Sequence, residues 1–183
     1  HKKHARELGL VKKSKLSIRI LKGIGVTLLT IILAIPTVVI AARNLNYFLH
    51  YKLIVNGVDE CLYTEIGGQE QFLLVRGNDV DNPVIIYLHG GPSSPDTYFT
   101  NFFANDLLEK YTVIAWDQRG CGRTYFRNAD IDSTNETASF EQAIEDVDDL
   151  VDYACERFGQ EKVIIMGHSY GTVLGPAYIE QHP

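Results

Sequence analysis

Residues 162–172 read KVIIMGHSYGT and give the strongest indication of the fold. Four apolar residues, Val163 to Met166, predict a buried strand, and the apolar residues after Gly171 predict a helix. Between them lies the pattern Gly-x-Ser-x-Gly with Ser169 at its centre. A sharp turn from strand to helix needs small residues on both sides of the serine, because the serine backbone is strained and its neighbours crowd it. The stretch therefore predicts an exposed serine on a tight turn, although the pattern alone also occurs by chance.

Two further apolar runs predict strands of the same kind. Val84–Leu88 leads into HGGP at residues 89–92, and Thr112–Trp116 leads into DQRG at residues 117–120. Uninterrupted apolar strands are typical of a parallel sheet that is covered on both faces. Shorter strands are predicted before them, at Leu53–Val55, Cys61–Glu65 and Phe72–Arg76.

Helices are predicted between these strands. Phe102–Lys110 is a short candidate, and Phe140–Phe158 has apolar residues at steps of three and four, with Ser139 and Gly159 as its caps. Six acids on this second helix predict a solvated outer face, with a metal site as the alternative: Glu141, Glu145, Asp146, Asp148, Asp149 and Asp152. The alternation of strands and helices predicts an α/β domain, a mostly parallel sheet flanked by helices.

The predicted turn would aim the Ser169 hydroxyl at a helix amino terminus, where backbone N–H groups favour developing negative charge. Such a site holds the oxyanion with the N–H of the residue after the serine, Tyr170, and with an N–H of the loop after the first buried strand. In that loop we favour Gly91 over Gly90 as the donor. His89 is expected to brace the loop, although a role as catalytic base is the alternative.

The polar residues after the second buried strand have two interpretations. Asp117 could be catalytic and Arg119 could bind phosphate. An ion pair that braces the loop is the favoured interpretation, because these residues follow a buried strand directly and glycines then interrupt the chain.

Taken together, HGGP, then WDQRGCGRT, then GHSYGT closely resemble the proline iminopeptidase group of the α/β-hydrolases, over about residues 70–183. The family usually has HGGPG, where this chain has Pro92-Ser93, and commonly GGSWG, where it has His168. The resemblance implies a serine hydrolase that cleaves an amino-terminal residue, often proline, from peptides. It also implies a cap domain whose acidic residues hold the free amine, and it implies no metal or cofactor.

The predicted function is an aminopeptidase-like serine hydrolase that acts through an acyl-enzyme on Ser169, with a peptide or a small acyl or amide compound as substrate. One alternative is an esterase or acyl-transfer enzyme on the same fold, and another is a membrane-tethered, non-catalytic homologue. Epoxide hydrolases and dehalogenases are disfavoured, since they need an aspartate where Ser169 stands.

In this fold the triad follows the order Ser, then Asp or Glu, then His. Fourteen residues follow Ser169, and they include Glu180 and His182. A helix of that length would carry both about 15–20 Å from the serine hydroxyl. We therefore expect the base, its acidic partner and the cap to lie beyond Pro183, and expect residues 1–183 alone to be inactive.

The amino-terminal part predicts a membrane segment. Residues 23–42 are twenty residues without a charge, enough for a helix of about 30 Å that spans a bilayer. Residues 1–22 are a predicted basic tail in the cytoplasm, residues 43–50 a linker, and residues 51–183 the hydrolase domain on the outer side, by the positive-inside rule. A cleaved signal peptide and a buried core helix are the alternatives.

Charge and cysteine content restrict the function further. The net charge of −6 divides into +7 for residues 1–42 and −13 for the remainder, which argues against nucleic acid as a partner. The cysteines Cys61, Cys121 and Cys155 form no CxxC pair and match no zinc pattern. The sequence gives no oligomeric state.

Overall fold

The computed structural model describes residues 3, 10–48, 56–92, 94–100, 104 and 106–182. The chain divides into two compact units, residues 1–50 and residues 51–183. The predicted strand Leu53–Val55 lies outside the described residues.

The first unit contains one long helix, α1, which covers Leu10–Tyr47 and continues through Pro36. Its segment Ser17–Asn46 is long and apolar enough to cross a membrane, and an 18-residue window within it has a mean hydropathy of 2.6. Threonine hydroxyls within the segment donate to carbonyl oxygens four residues earlier, as Thr30 does to Val26 at 2.9 Å, so these polar groups are satisfied without water. The helix extends beyond the predicted segment 23–42 at both ends, and the lysines and arginine before that segment are good helix formers.

The second unit is built on a five-stranded sheet of order β1-β2-β4-β3-β5. The strands are β1 (Val58–Ile66), β2 (Gln69–Gly77), β3 (Val84–Leu88), β4 (Thr112–Asp117) and β5 (Ile164–Gly167). β2 is antiparallel to both β1 and β4, whereas β3 is parallel to both β4 and β5. Four of the five strands described, β1, β3, β4 and β5, therefore run in one direction, and β2 runs against them. The prediction of a mostly parallel sheet is confirmed, and the one reversed strand makes the sheet mixed. The chain reverses between β1 and β2 at the hairpin Gly67-Gly68, whose positive φ angles of 55° and 75° suit a two-residue turn between antiparallel strands.

Successive residues of the central strands are buried on opposite faces of the sheet. On one face, Ile86 and Trp116 belong to a core with two helices, α3 (Phe140–Phe158) and α4 (Gly171–Gln181). On the other face, Ile85 and Ala115 pack with Ala104 and Leu108. The predicted α/β architecture is confirmed, and β3 and β4 are buried on both faces. The prediction that Val163–Met166 is a buried strand is wrong: β5 lies at the edge of the described sheet, pairs there with β3, and leaves Ile164 44% and Met166 36% exposed.

The helix α3 has the predicted bounds and the predicted caps. The Ser139 side chain accepts a hydrogen bond from the Gln142 backbone N–H at 3.0 Å. Gly159 takes the left-handed conformation at φ 61°, which glycine tolerates best. The Gln142 side chain donates to Asp146 at 3.0 Å instead of reaching back to Ser139, so only half of a capping box forms.

Two predictions about helices need correction. Residues 106–110 of the candidate Phe102–Lys110 form hydrogen-bonded turns, while residues 101–103 and 105 lie outside the described part of the chain. A short helix that the sequence did not suggest, α2 (Gly122–Asn128), follows β4. The glycines do not end regular structure there, because the Asp117 carboxylate accepts from the Arg123 backbone N–H at 2.9 Å and so satisfies the first turn.

Candidate active site

Ser169 occupies the turn between β5 and α4. Its φ of 51° lies in the left-handed region, and Asn135 is the other non-glycine residue with positive φ among the described residues. A side chain at Gly167 would meet the Gly171 carbonyl oxygen at 2.3 Å, and one at Gly171 would meet the Leu88 carbonyl oxygen at 2.2 Å. Both flanking glycines are therefore required by sterics, as the Gly-x-Ser-x-Gly pattern predicts. Ser169 is exposed at the carboxyl end of the parallel strands.

The HGGP loop packs directly against this turn. The His168 backbone N–H donates to the Leu88 carbonyl at 3.0 Å. A Cβ added to Gly90 would lie 3.1 Å from the Ser169 Cβ, so the backbone of Gly90 approaches the serine closely. Gly91 follows with a φ of 136°, which L side chains rarely adopt, and is exposed. Within the described part of the chain, the backbone N–H of Tyr170 has no acceptor. The oxyanion roles of Gly91 and Tyr170 stay predictions.

His89 is fully buried and braces the two loops. Its Nδ1–H donates to the Gly90 carbonyl at 2.5 Å, and its Nε2 accepts from the Gln118 backbone N–H at 3.2 Å. Burial lowers the pKa of this imidazole, which is therefore neutral and has both nitrogens engaged. These bonds agree with the predicted bracing role and argue against His89 as the base.

The predicted bracing ion pair exists, but its acid is Asp146 on α3. Arg119 donates through Nη2 to Asp146 Oδ1 at 2.7 Å and through Nε to Oδ2 at 2.8 Å. Asp146 is fully buried, so the prediction that it belongs to a solvated face is wrong. The sequence did contain a signal, since Asp146 lies one helical turn before the buried Leu150. Asp117 instead accepts from the Thr97 hydroxyl at 2.7 Å.

Asp96, in the loop after β3, is a further residue of the site, and no sequence pattern pointed to it. The Tyr87 hydroxyl donates to Asp96 Oδ2 at 3.0 Å, and His168 Nδ1 lies 3.7 Å from the same oxygen. Burial, followed by this hydrogen bond, raises the pKa of Tyr87, so the phenol keeps its proton. No motif marks an acid at this position, because its partners are 9 and 72 residues away in the chain.

A cavity of about 180 Å³ opens beside the turn. It touches Pro92 of the HGGP loop and Tyr170 next to the serine, and its walls include Trp116, Gln118 and Arg119. Polar and apolar groups therefore both line a space next to the two elements predicted to hold the oxyanion.

The other titratable residues of α4 lie away from Ser169, at the end of the helix. His182 Nδ1 lies 3.1 Å from Asp148 Oδ1, and its ring stacks on Tyr178 with the centroids 4.9 Å apart. Among the described residues, the Ser169 hydroxyl donates no hydrogen bond to a base, and no group of three His, Cys, Asp or Glu side chains could hold a metal ion. The described residues thus supply the predicted nucleophile and its turn, without a base.

Comparison with known proteins agrees with this geometry. Residues 83–183 match the family model of the alpha/beta hydrolase fold. The chain is 30% identical over 118 residues to the probable aminopeptidase YbaC of Bacillus subtilis (strain 168), and 31% identical over 117 residues to the proline iminopeptidase of Thermoplasma volcanium. These matches cover 64% and 63% of the chain, and 36% of each relative. The chain thus spans little more than a third of the length of these relatives.

Solved structures give the same result. The proline iminopeptidase-related protein of Thermus thermophilus aligns with a TM-score of 0.56 at 25% identity, over 69% of this chain and 41% of its own. An epoxide hydrolase of Vigna radiata aligns with a TM-score of 0.49 at 20% identity, over 68% of this chain and 35% of its own. A likeness this weak carries no information about function. The matched family model covers more than half of the chain and includes the Ser169 turn, so this chain belongs to the alpha/beta hydrolase family.

Proposed function

We propose that the protein is a serine hydrolase with Ser169 as its nucleophile. The observation that carries the proposal is the left-handed backbone of Ser169, at φ 51°, on an exposed turn between a parallel strand and a helix. Such strain costs about 1–3 kcal/mol and persists where the surrounding structure imposes it, which is frequently at active sites. The crowded glycines 167 and 171 impose it here.

In the proposed reaction, Ser169 Oγ attacks a carbonyl carbon, and the N–H groups of Gly91 and Tyr170 stabilise the oxyanion that forms. Collapse of this intermediate expels the leaving group and gives an acyl-enzyme, which water then hydrolyses. The hydroxyl needs a general base, because serine is a weak nucleophile at its free pKa. We propose that a histidine and its acidic partner, from a part of the protein outside these 183 residues, supply that function.

The proposed substrate is a peptide with a free amino terminus, from which one residue is released. Support comes from the relatives named aminopeptidase and proline iminopeptidase, and from the three motifs at residues 89–92, 116–124 and 167–172. The proposal extends to the whole protein, in which these residues form one part.

We further propose that α1 anchors the protein in a membrane, with the amino terminus in the cytoplasm and the hydrolase domain outside. The apolar segment Ser17–Asn46 and the bases before its centre support this arrangement. Carbonate washing of membranes is the direct test, because an anchored protein stays in the pellet.

The experiment on substrate class compares a prolyl amide with a short acyl ester, using the complete protein in detergent. The expected result is release of proline from the amide, lost in Ser169→Ala and kept in the control Ser133→Ala, which changes an exposed loop serine. Hydrolysis of the ester alone would favour an esterase. Amide hydrolysis that survives in Ser169→Ala would contradict the proposed nucleophile.

A further inference from the structure

The carboxylate of Asp96 lies beside the Ser169 turn and takes no part in the proposed reaction. The Tyr87 hydroxyl donates a hydrogen bond to Asp96 Oδ2 at 3.0 Å and so holds the carboxylate in place. The neighbour of Asp96, Thr97, donates to the buried Asp117 at 2.7 Å, and a Cβ on Gly122 would lie 2.9 Å from Pro95. The short segment around Asp96 is therefore held on β3 and on the start of α2.

His168 connects this segment to the turn. Its Nδ1 lies 3.7 Å from Asp96 Oδ2, too far for a hydrogen bond but within range of an ion pair when the imidazole carries a proton. The same ring lies over Gly90, where an added Cβ would be 3.3 Å from Nδ1. His168 immediately precedes Ser169, and its ring lies near both Gly90 of the HGGP loop and Asp96 of the segment after that loop.

We propose that Asp96 is a positioning residue, which acts through His168 to set the distance between the HGGP loop and the Ser169 turn. The inference rests on the proposed function, because that distance matters for catalysis only if the loop and Tyr170 hold an oxyanion. Small displacements of such donors have large effects on rate, since a misplacement of about 1 Å can cost about a hundredfold.

The contact is not mainly a source of stability. His168 is exposed over 66% of its side chain, and exposed ion pairs contribute little to the free energy of unfolding. Among the described residues, the buried Oδ1 of Asp96 has no hydrogen-bond partner. That free acceptor suggests a rival role, in which Asp96 binds a cationic group of the substrate, and the test below separates the two roles.

The test measures labelling of the complete protein by a fluorophosphonate probe without any cationic group, in Asp96→Asn, Asp96→Glu and the control Asp152→Asn, an exposed acid on α3. We expect Asp96→Asn to lower the limiting labelling rate about tenfold at an unchanged half-saturating concentration. In Asp96→Glu we expect part of the limiting labelling rate to be restored, and in the control Asp152→Asn we expect the rate of the unmodified protein. Because the probe carries no cation, a role in binding a substrate amine predicts no effect. An unchanged limiting rate in Asp96→Asn would overturn the proposal.

Hydrogen exchange provides a second measurement that does not depend on activity. In Asp96→Asn we expect faster amide exchange both in residues 88–98 and in residues 166–172, because the carboxylate restrains both segments. Faster exchange confined to residues 88–98 would overturn the proposal. If the unmodified protein is not labelled at all, the proposed function fails, and the exchange result alone decides whether Asp96 links the two segments.

Discussion

Arg119 and Asp146 form two parallel hydrogen bonds, Nη2 to Oδ1 at 2.7 Å and Nε to Oδ2 at 2.8 Å, and both side chains are buried. Arg119 also donates to the Gly67 carbonyl at 2.7 Å. Asp146 accepts in addition from Gln71 at 2.9 Å, and Gln71 in turn accepts from the Trp116 indole at 2.8 Å. One guanidinium thus ties the loop after β4 to α3 and to the β1–β2 turn.

Removing one member of this pair leaves the other as an unpaired buried charge. We therefore expect Asp146→Asn to lower the free energy of unfolding by about 3–5 kcal/mol. The control Glu145→Gln, an exposed neighbour on the same helix, changes it by less than about 0.5 kcal/mol. Denaturant unfolding followed by circular dichroism measures both. Equal stability of the two variants would show that the pair is not a brace.

The strained backbone of Ser169 predicts a stabilising substitution that abolishes activity. Glycine adopts positive φ without the steric penalty, so Ser169→Gly is expected to stabilise the domain by about 1 kcal/mol. Asn135→Gly, at a φ of 57°, is the comparison: asparagine tolerates the left-handed region better than serine, so this variant gains less relief, and it loses an amide hydrogen bond to the Gly120 carbonyl at 3.2 Å. In thermal unfolding, the Tm of Ser169→Gly should be higher than that of the unmodified protein. A lower Tm for Ser169→Gly would contradict strain at the turn.

Cys121 predicts a loss of stability in alkaline solution. Burial raises the pKa of its thiol from the ordinary 9.0 to about 12. The unfolded chain releases this proton at a lower pH than the folded chain does, so unfolding becomes more favourable as pH rises from about 9 to about 12. In Cys121→Ser the free energy of unfolding should decrease less over that range. Unfolding measured at several pH values checks this. A decrease identical to that of the unmodified protein would rule out the thiol as its source.

The apolar segment of α1 predicts that retention of the protein in membranes depends strongly on charge at the centre of the segment. An arginine at the middle of a membrane span costs about 2.5–3.5 kcal/mol on insertion scales, so Ile32→Arg should reduce the fraction of protein retained in carbonate-washed membranes. Ile131→Arg, which changes an isoleucine that is 73% exposed in the second unit, is the matched control. Equal retention of both variants would argue against a spanning helix.

Much of this fold follows from local sequence. Val84–Leu88 and Phe140–Phe158 have the predicted bounds, because uninterrupted apolar runs and a capped amphipathic helix are local signals. The antiparallel pairing of β2 with β4 and the burial of Asp146 depend on contacts between residues distant in sequence, which no local pattern contains. The turn at Ser169 was predictable because its two glycines lie within two residues of the serine. The position of Asp96 beside this turn was not, because it depends on how Tyr87 and His168 are brought together by the fold.

We propose Ser169 as the nucleophile, and covalent labelling by a serine-directed probe examines that role without intermediate steps. The complete protein is treated with a fluorophosphonate probe, and the modified peptide is identified by mass spectrometry. We predict one modified residue, Ser169, and no modification in Ser169→Ala, while His89→Asn, which removes a loop brace, slows labelling without moving it to another residue. Absence of labelling in the complete protein, or labelling unchanged in Ser169→Ala, would contradict the claim.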